Sequence, residues 1–241
     1  MGVTFVSGAS SGIGRALALR LAARGETIMA VARRRDLLDQ LVQEIAAAGG
    51  RAQAVACDVT DPVQVVQAIA TAGPVDRLVL CAGGGRRSVA ERFAAAQLDD
   101  TLALNVMGVA HCVEAALPGM LARGQGHIVA VGSLAARRGL PGGAEYSAAK
   151  AALARLLEGW RVELAPRGIA VTLLEPGFVR VSPQKKRRPL EVPLDRAVGR
   201  MVAAIEARRP VCAFPLPLRL ILGGLGILPA AWGDAILRRL Q

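Results

Sequence analysis

The chain opens with a β-rich run, Val3-Thr-Phe-Val-Ser7, that feeds directly into Gly8-Ala-Ser-Ser-Gly12-Ile-Gly14. Arg15 to Ala23 follows with apolar residues at helical spacing, and Gly25 is placed to stop that helix. Strand, glycine turn, helix is the arrangement that presents backbone N–H groups and a helix N-terminus to a phosphate. The spacing is G-x-x-x-G-x-G rather than G-x-G-x-x-G. The physical demands are nonetheless the same: a tight turn, close approach of backbone to a pyrophosphate, and close helix packing, each needing a residue without Cβ. Gly8, Gly12 and Gly14 are therefore cofactor-binding candidates, with Ile13 inside the turn and with Ser10 or Ser11 adding a hydroxyl.

The pattern then repeats. Strand-like runs over Thr27–Ala32, Ala52–Cys57, Asp76–Cys81, His127–Gly132 and Ile169–Leu174 alternate with helical patterns over Leu37–Ala48, Val63–Ala72, Val89–Phe93, Leu98–Leu121 and the segment ending near Leu164. Asp61 or Thr60 is the expected cap of the second of these, and Asp99 or Asp100 the expected start of the long one. Such alternation over about 175 residues implies a parallel sheet covered on both faces, with ligands at the carboxyl ends of the strands. The expected fold is a single-domain, doubly wound α/β sheet of Rossmann type. Residues 1–210 form its catalytic part, with a lid segment at 180–210, and residues 211–241 supply a last strand, Val211–Phe214, and an apolar tail.

The end of the second strand bears on which dinucleotide fits. An acidic residue there accepts bonds from a free ribose 2′-hydroxyl, whereas a guanidinium suits a 2′-phosphate. Here the position holds Arg33, with Arg34 and Arg35 behind it and no acid before Asp36. The expected cofactor is NADP(H), bound by Arg33 and Arg34; the competing reading is a solvated basic helix start. Asp58 and Val59 follow the third strand, Ala82 and Gly83 the fourth, and Pro176, Gly177 and Val179 the sixth. All are counted with the cofactor rim.

Tyr146-Ser-Ala-Ala-Lys150 lies after the fifth strand, thirteen residues beyond Ser133. On a helix the phenol and the ammonium share a face. A nearby positive charge favours the phenolate and is expected to lower the tyrosine pKa, making it a proton donor and acceptor near neutral pH. Alone, a Y-x-x-x-K pair is weak, since a solvated surface pair produces it equally well.

Taken together these motifs resemble the short-chain dehydrogenase/reductase family over about residues 2 to 180. The resemblance implies that Gly8, Gly12 and Gly14 are the cofactor glycines, Arg33 the position favouring NADP, and Asp58 the acid contacting adenine. It further implies a catalytic tetrad of Asn105, Ser133, Tyr146 and Lys150, with Pro176-Gly177 as the turn beside the nicotinamide. In that scheme Tyr146 protonates the carbonyl oxygen, Ser133 holds it, Lys150 lowers the tyrosine pKa and binds ribose, and Asn105 holds a relaying water. Three positions depart from the family pattern. Cys81 replaces an Asn that ties strand ends together, Val181 stands where Thr is usual with Ser182 as a shifted substitute, and the C-terminal strand signature is replaced by a different tail.

That tail raises its own question. Pro183-Gln-Lys185-Lys186-Arg187-Arg188-Pro189 reads as a lid loop, Leu194–Ala207 as a helix, and Ala230–Gln241 as a short terminal helix. Leu220 to Gly233 is uncharged and mostly apolar but broken by glycines and Pro229, too short for a span of about twenty residues. It covers the substrate end of the sheet or a subunit interface on one reading. On the other it attaches to a membrane interface through residues 215–241, with Arg219, Arg238 and Arg239 facing anionic headgroups.

Composition narrows the remaining classes. With 53% hydrophobic residues the chain is no disordered segment, and a net charge of +11 without an aromatic-rich basic motif gives no support to nucleic-acid recognition. Cysteines 57, 81, 112 and 212 lie singly and read as buried hydrophobes in a reducing compartment, while His111 and His127 are too few for a metal site. Met1 runs straight into the first strand, so a cytosolic protein is expected, or one peripheral on the cytosolic membrane face. The leading expectation is a carbonyl reductase or alcohol dehydrogenase acting on a hydrophobic small molecule. A 3-oxoacyl-thioester reductase and a non-catalytic cofactor sensor are the alternatives. A homodimer or homotetramer is expected, through the small-residue face at Ala148, Ala151, Ala152 and Arg155.

Overall fold

The computed structural model describes residues 2–86, 88–181 and 188–239. Its strands are β1 (Val3–Ser7), β2 (Thr27–Ala32), β3 (Arg51–Ala56), β4 (Val75–Leu80), β5 (Gly126–Val131), β6 (Ile169–Pro176), β7 (Val179–Arg180), β8 (Val192–Pro193) and β9 (Val211–Phe214). The helices are α1 (Gly12–Ala22), α2 (Arg35–Ala47), α3 (Pro62–Ala72), α4 (Ala95–Leu102), α5 (Gly108–Arg123), α6 (Ala144–Leu164), α7 (Leu194–Glu206), α8 (Leu216–Ile227) and α9 (Ala230–Arg239). Seven strands make one parallel sheet in the order β3-β2-β1-β4-β5-β6-β9. The order reverses beside β1, which pairs with β2 on one side and β4 on the other. Such a switch point opens a crevice at the carboxyl ends of the strands.

Successive strand residues go to opposite faces, as the pleat requires. Phe5, Leu78, Ile128 and Val171 pack against Val65, Val113, Leu153 and Leu157 on α3, α5 and α6. Their neighbours Val6, Val79, Val129 and Leu174 face the other way, onto Leu17, Leu41, Val198 and Met201 of α1, α2 and α7. Each fully buried side chain of this size contributes about 1.5–3 kcal/mol, so an aliphatic core suffices despite few aromatics.

Local details refine the sequence reading. Asp61 is the N-cap of α3, accepting from the N–H groups of Val63 at 2.9 Å and Gln64 at 3.2 Å, with Pro62 at the first helical position. Within Val89–Phe93 only a single 3-10 turn, Ala90–Arg92, forms. The long helix starts at Ala95 rather than at Asp99 or Asp100, and Ala103–Met107 makes a π-type turn that joins α4 to α5. This run is long and apolar enough by length to cross a bilayer, but Val109, Cys112, Val113, Ala116 and Met120 bury it in the core. The small β7–β8 ribbon had no alternation long enough to read from sequence. Ser182 and the basic residues Lys185, Lys186 and Arg187 lie outside the described residues.

The apolar tail forms a helical pair despite its glycines. Leu222 and Leu225 of α8 and Leu237 of α9 pack on Leu134, flanked by Leu140 and Leu218, as a third cluster beside the end of β5. The start of α8 abuts the turn at Gly177 on the edge of the crevice, where Leu218 and Pro215 pack against it.

Candidate active site

The crevice holds a cavity of about 490 Å³. Its floor is the glycine turn. Gly8 and Gly12 have φ of +68° and +57°, which L side chains rarely adopt. A Cβ on Gly14 would lie 2.4 Å from the Gly8 carbonyl oxygen. Ser11 is the N-cap of α1 yet makes no side-chain bond to its first turn. Its hydroxyl, like that of Ser10, accepts from Arg34 Nη2, at 2.8 and 2.9 Å. The first-turn N–H groups thus keep no side-chain cap, and a fixed guanidinium stands beside them. This cradle fits a dinucleotide phosphate: glycines admit it, N–H groups face it, and Arg34 supplies positive charge.

Arg33 lies differently. Its side chain is 75% exposed and its Nη1 is 3.6 Å from Asp58 Oδ2. Burial pushes the Asp58 carboxyl up, but bonds from the Thr60 N–H and hydroxyl and the charge of Arg33 outweigh it and hold the pKa below the ordinary value. Arg33 and Asp58, from the ends of the second and third strands, therefore form one charged wall, with Val59 next to it.

At the end of β4, the Ser7 hydroxyl accepts from the N–H groups of Cys81 and Ala82, both at 3.2 Å. It ties β1 to β4 without the amide that Cys81 replaces. Burial pushes the Cys81 thiol up to about 12 against the opposing pull of Lys150, so it stays a protonated thiol. Beyond it the glycines are needed for space. A Cβ on Gly83 would lie 2.9 Å from Asn105 Oδ1, and one on Gly85 2.9 Å from Tyr146 Cδ2.

Asn105 is fully buried on the π-type turn. Its Nδ2 donates to the carbonyls of Gly84 at 2.7 Å and Thr101 at 2.9 Å, and its Oδ1 accepts from the Gly84 N–H at 3.2 Å. The amide thereby clamps the loop after β4, so its observed task is backbone positioning rather than a free side chain facing the cavity.

Ser133, Tyr146 and Lys150 converge across the cavity. Ser133 follows β5, and its hydroxyl accepts from Ala135 N–H at 3.1 Å while hydrogen-bonding the Tyr146 phenol. Lys150 Nζ sits 5.7 Å from the Tyr146 ring centroid and donates to the Val131 carbonyl at 2.8 Å. The expected lowering of the tyrosine pKa is reversed. Burial pushes the phenol above its ordinary value, and the Ser133 bond pulls it back only in part. Burial also lowers Lys150 to about 8. The Lys150 ammonium is instead committed to the Val131 carbonyl, and the one influence that lowers the phenol is the Ser133 bond.

Every other candidate, Ile13, Pro176, Gly177 and Val179 included, lines the same cavity. Several contributors escaped the sequence reading. Leu104 and Val131 line the cavity but carried no signal apart from helix and strand patterns. Glu145, next to Tyr146, is buried and accepts from Ser88 Oγ at 2.5 and 2.6 Å, tying the β4 loop to α6. Arg137 donates to Glu175 at 2.5 Å, linking the segment after Ser133 to the Pro176–Gly177 turn.

Comparison with known proteins agrees with this geometry. The short chain dehydrogenase family model matches residues 2–191. An uncharacterized oxidoreductase of Myxococcus xanthus is 38% identical over 98% of this chain and 96% of its own length. The 3-oxoacyl-acyl-carrier-protein reductase FabG of Staphylococcus aureus is 34% identical over 72% of this chain and 73% of its own. A short-chain dehydrogenase structure from Streptomyces avermitilis superposes with a TM-score of 0.81 at 30% identity, covering 100% of this chain and 96% of that one. With the sheet order, the glycine cradle and the matched model in agreement, the chain belongs to the short-chain dehydrogenase family of oxidoreductases.

Proposed function

We propose that the protein is an NADP(H)-dependent oxidoreductase that interconverts a carbonyl and an alcohol on a hydrophobic small molecule. The observation that carries this reading is the Ser133–Tyr146–Lys150 constellation opposite the glycine cradle in one cavity. A dinucleotide would be held by the α1 N-terminus, Gly8 to Gly14, Arg33, Arg34 and Asp58, and when bound and reduced it supplies the hydride. The chain's own residues supply positioning and a proton. A raised phenol pKa keeps Tyr146 protonated near neutral pH, ready to donate to the substrate oxygen as negative charge develops there. Ser133 holds that oxygen through its hydroxyl. Lys150, charged below about pH 8, keeps a cation behind the phenol as its proton leaves.

Preference for NADP rests on the guanidinium of Arg34 fixed by Ser10 and Ser11, with Arg33 beside it. A hydrophobic substrate is supported by the leucine cluster that continues from Leu134 into the tail. The similarity to a 3-oxoacyl-thioester reductase favours that substrate class as a second reading, and a net charge of +11 would aid docking of an acidic carrier. The partly exposed small-residue face of α6 at Ala148, Ala151, Ala152 and Arg155 is the contact we assign to a homo-oligomer.

The test is NADPH oxidation against a carbonyl panel that includes a 3-oxoacyl thioester. Tyr146→Phe should lower turnover by about 10²- to 10⁴-fold while cofactor binding is retained. Tight NADPH binding with no turnover of any substrate by the wild type would instead make the protein a cofactor sensor.

A further inference from the structure

Residues 215–240 contain no Ser, Thr, Asn, Gln, Lys or His, a long stretch whose one neutral polar side-chain group is the Trp232 indole N–H. The inward face of α8 and α9 is accounted for: Leu218, Leu222, Leu225 and Leu237 pack on Leu134 and Leu140. The outward face is apolar too. Leu216 and Leu220 lie one turn apart along α8, and Trp232 and Ile236 lie one turn apart along α9. Leu220 is 62% exposed, Ile227 88% and Trp232 67%. Isolated exposed hydrophobes are ordinary, but six exposed large apolar side chains on two consecutive helices, Leu216, Leu220, Ile221, Ile227, Trp232 and Ile236, mark an interaction surface.

The hairpin is also seated firmly beside the cavity. A Cβ on Gly177 would meet Leu218 Cδ2 at 2.7 Å and Pro215 Cδ at 3.1 Å, so the start of α8 abuts the turn that lines the site. At the other helix, Arg138 Nη2 bonds Asp234 Oδ1 at 2.8 Å. That bond neutralises the single acid of the hairpin. Arg219 and Arg238, both exposed, make no salt bridge among the described residues.

We propose that the α8–α9 hairpin is a membrane-interface anchor that lays the outward ridges into an anionic phospholipid surface and brings the mouth of the cavity to the bilayer. Three observations choose a bilayer over a protein partner. A protein interface of ordinary size carries about one hydrogen bond per 100–200 Å², and this face offers only the Trp232 indole N–H and the Arg219 and Arg238 guanidiniums as side-chain donors. Its free charges are cations, complementary to lipid phosphate, whereas a second copy would bring the same arginines against each other. Trp232 on the outward face suits the headgroup boundary. At 12 residues α8 is far short of the roughly 20 needed to span, so the hairpin lies in the interface plane. The proposal stands without the reductase reading. Where that reading also holds, it names the substrate class as amphiphilic, lipid-like carbonyls or alcohols drawn from the membrane.

The experiment is co-sedimentation of the full chain with vesicles of phosphatidylcholine alone and of phosphatidylcholine with an equal part of phosphatidylglycerol. NADPH oxidation on a soluble carbonyl is followed in parallel. The wild type should pellet with the anionic vesicles. L220D together with W232D, both on the outward face, should leave the protein in the supernatant with soluble-substrate turnover unchanged. R219E together with R238E should weaken anionic-vesicle binding by at least roughly thirtyfold, about fivefold for each positive charge lost near the surface and more for the repulsion each glutamate adds. Wild type remaining in the supernatant, or equal pelleting of L220D/W232D, overturns the anchor. Equal pelleting with neutral vesicles overturns the charge argument. A drop in solution mass of L220D/W232D relative to wild type, without vesicle binding by either, assigns the face to a second copy instead. Turnover without pelleting refutes only the anchor, and pelleting without turnover refutes only the reductase reading.

Discussion

Lys150 offers a sharp quantitative test, because the site holds its charge at the expense of the fold. The side chain is 3% exposed, and burial lowers its pKa from 10.5 to about 8. That difference corresponds to roughly 3 kcal/mol for keeping the ammonium charged inside the folded chain. Below about pH 8 the folded and unfolded chains both carry the proton, so the cost is fully present. Between about 8 and 10.5 the folded chain has released it while the unfolded chain keeps it, and stability rises with pH. Above both values the cost disappears. Lys150→Met keeps the length and removes the charge, leaving the Val131 carbonyl without its 2.8 Å donor at a cost of about 1 kcal/mol. Near neutral pH the variant should therefore be more stable by about 2 kcal/mol, a Tm increase of roughly 4–8 °C for a chain of this size. Thermal melts of both proteins from near neutral pH into the alkaline range read this directly, and the gap should narrow as pH rises past about 8. Activity should fall at least about 10²-fold in the same variant. A variant less stable than wild type near neutrality, or a gap independent of pH, would refute the reasoning.

Three further outcomes follow from the geometry. Gly14→Ala forces a Cβ to 2.4 Å from the Gly8 carbonyl, backbone that cannot yield cheaply. It should cost about 1–3 kcal/mol in a urea melt and weaken NADPH binding, measured by fluorescence titration. Glu175→Gln leaves Arg137 without its charge partner between the Ser133 segment and the Pro176–Gly177 turn. Unfolding by urea should register a loss of about 2 kcal/mol, less than for a fully buried pair because Arg137 is partly exposed. Arg34→Ala removes the guanidinium held by Ser10 and Ser11. NADPH affinity should drop by about 10- to 100-fold with NADH affinity little changed, and an equal loss for both would assign Arg34 to the turn alone.

Much of the site was legible because each candidate follows a strand. In a parallel sheet with right-handed crossovers every strand delivers its carboxyl end to the same rim, so chain order alone places Gly8, Arg33, Asp58, Ala82, Ser133 and Pro176 together. Tyr146 and Lys150 share a helix face by spacing, and the structure sets them in the same cavity. The pairings of Ser88 with Glu145 and of Arg137 with Glu175 had no such rule. They join residues 57 and 38 positions apart through loops, where neither periodicity nor strand order predicts contact.

The alternation of short apolar strands and amphipathic helices thus determined the sheet, its direction and the rim where chemistry collects, because those follow from local periodicity and chain handedness. Tertiary structure alone decided the electrostatics and the tail. How the Tyr146 phenol titrates depends on burial and on the Ser133 bond, which a one-dimensional spacing does not contain, and here burial outweighs that bond. Four glycine and proline interruptions made residues 220–233 look broken, yet packing on Leu134 and Leu140 folds them into α8 and the start of α9. Helix propensity is a weak local preference, and a buried leucine seam overrides it.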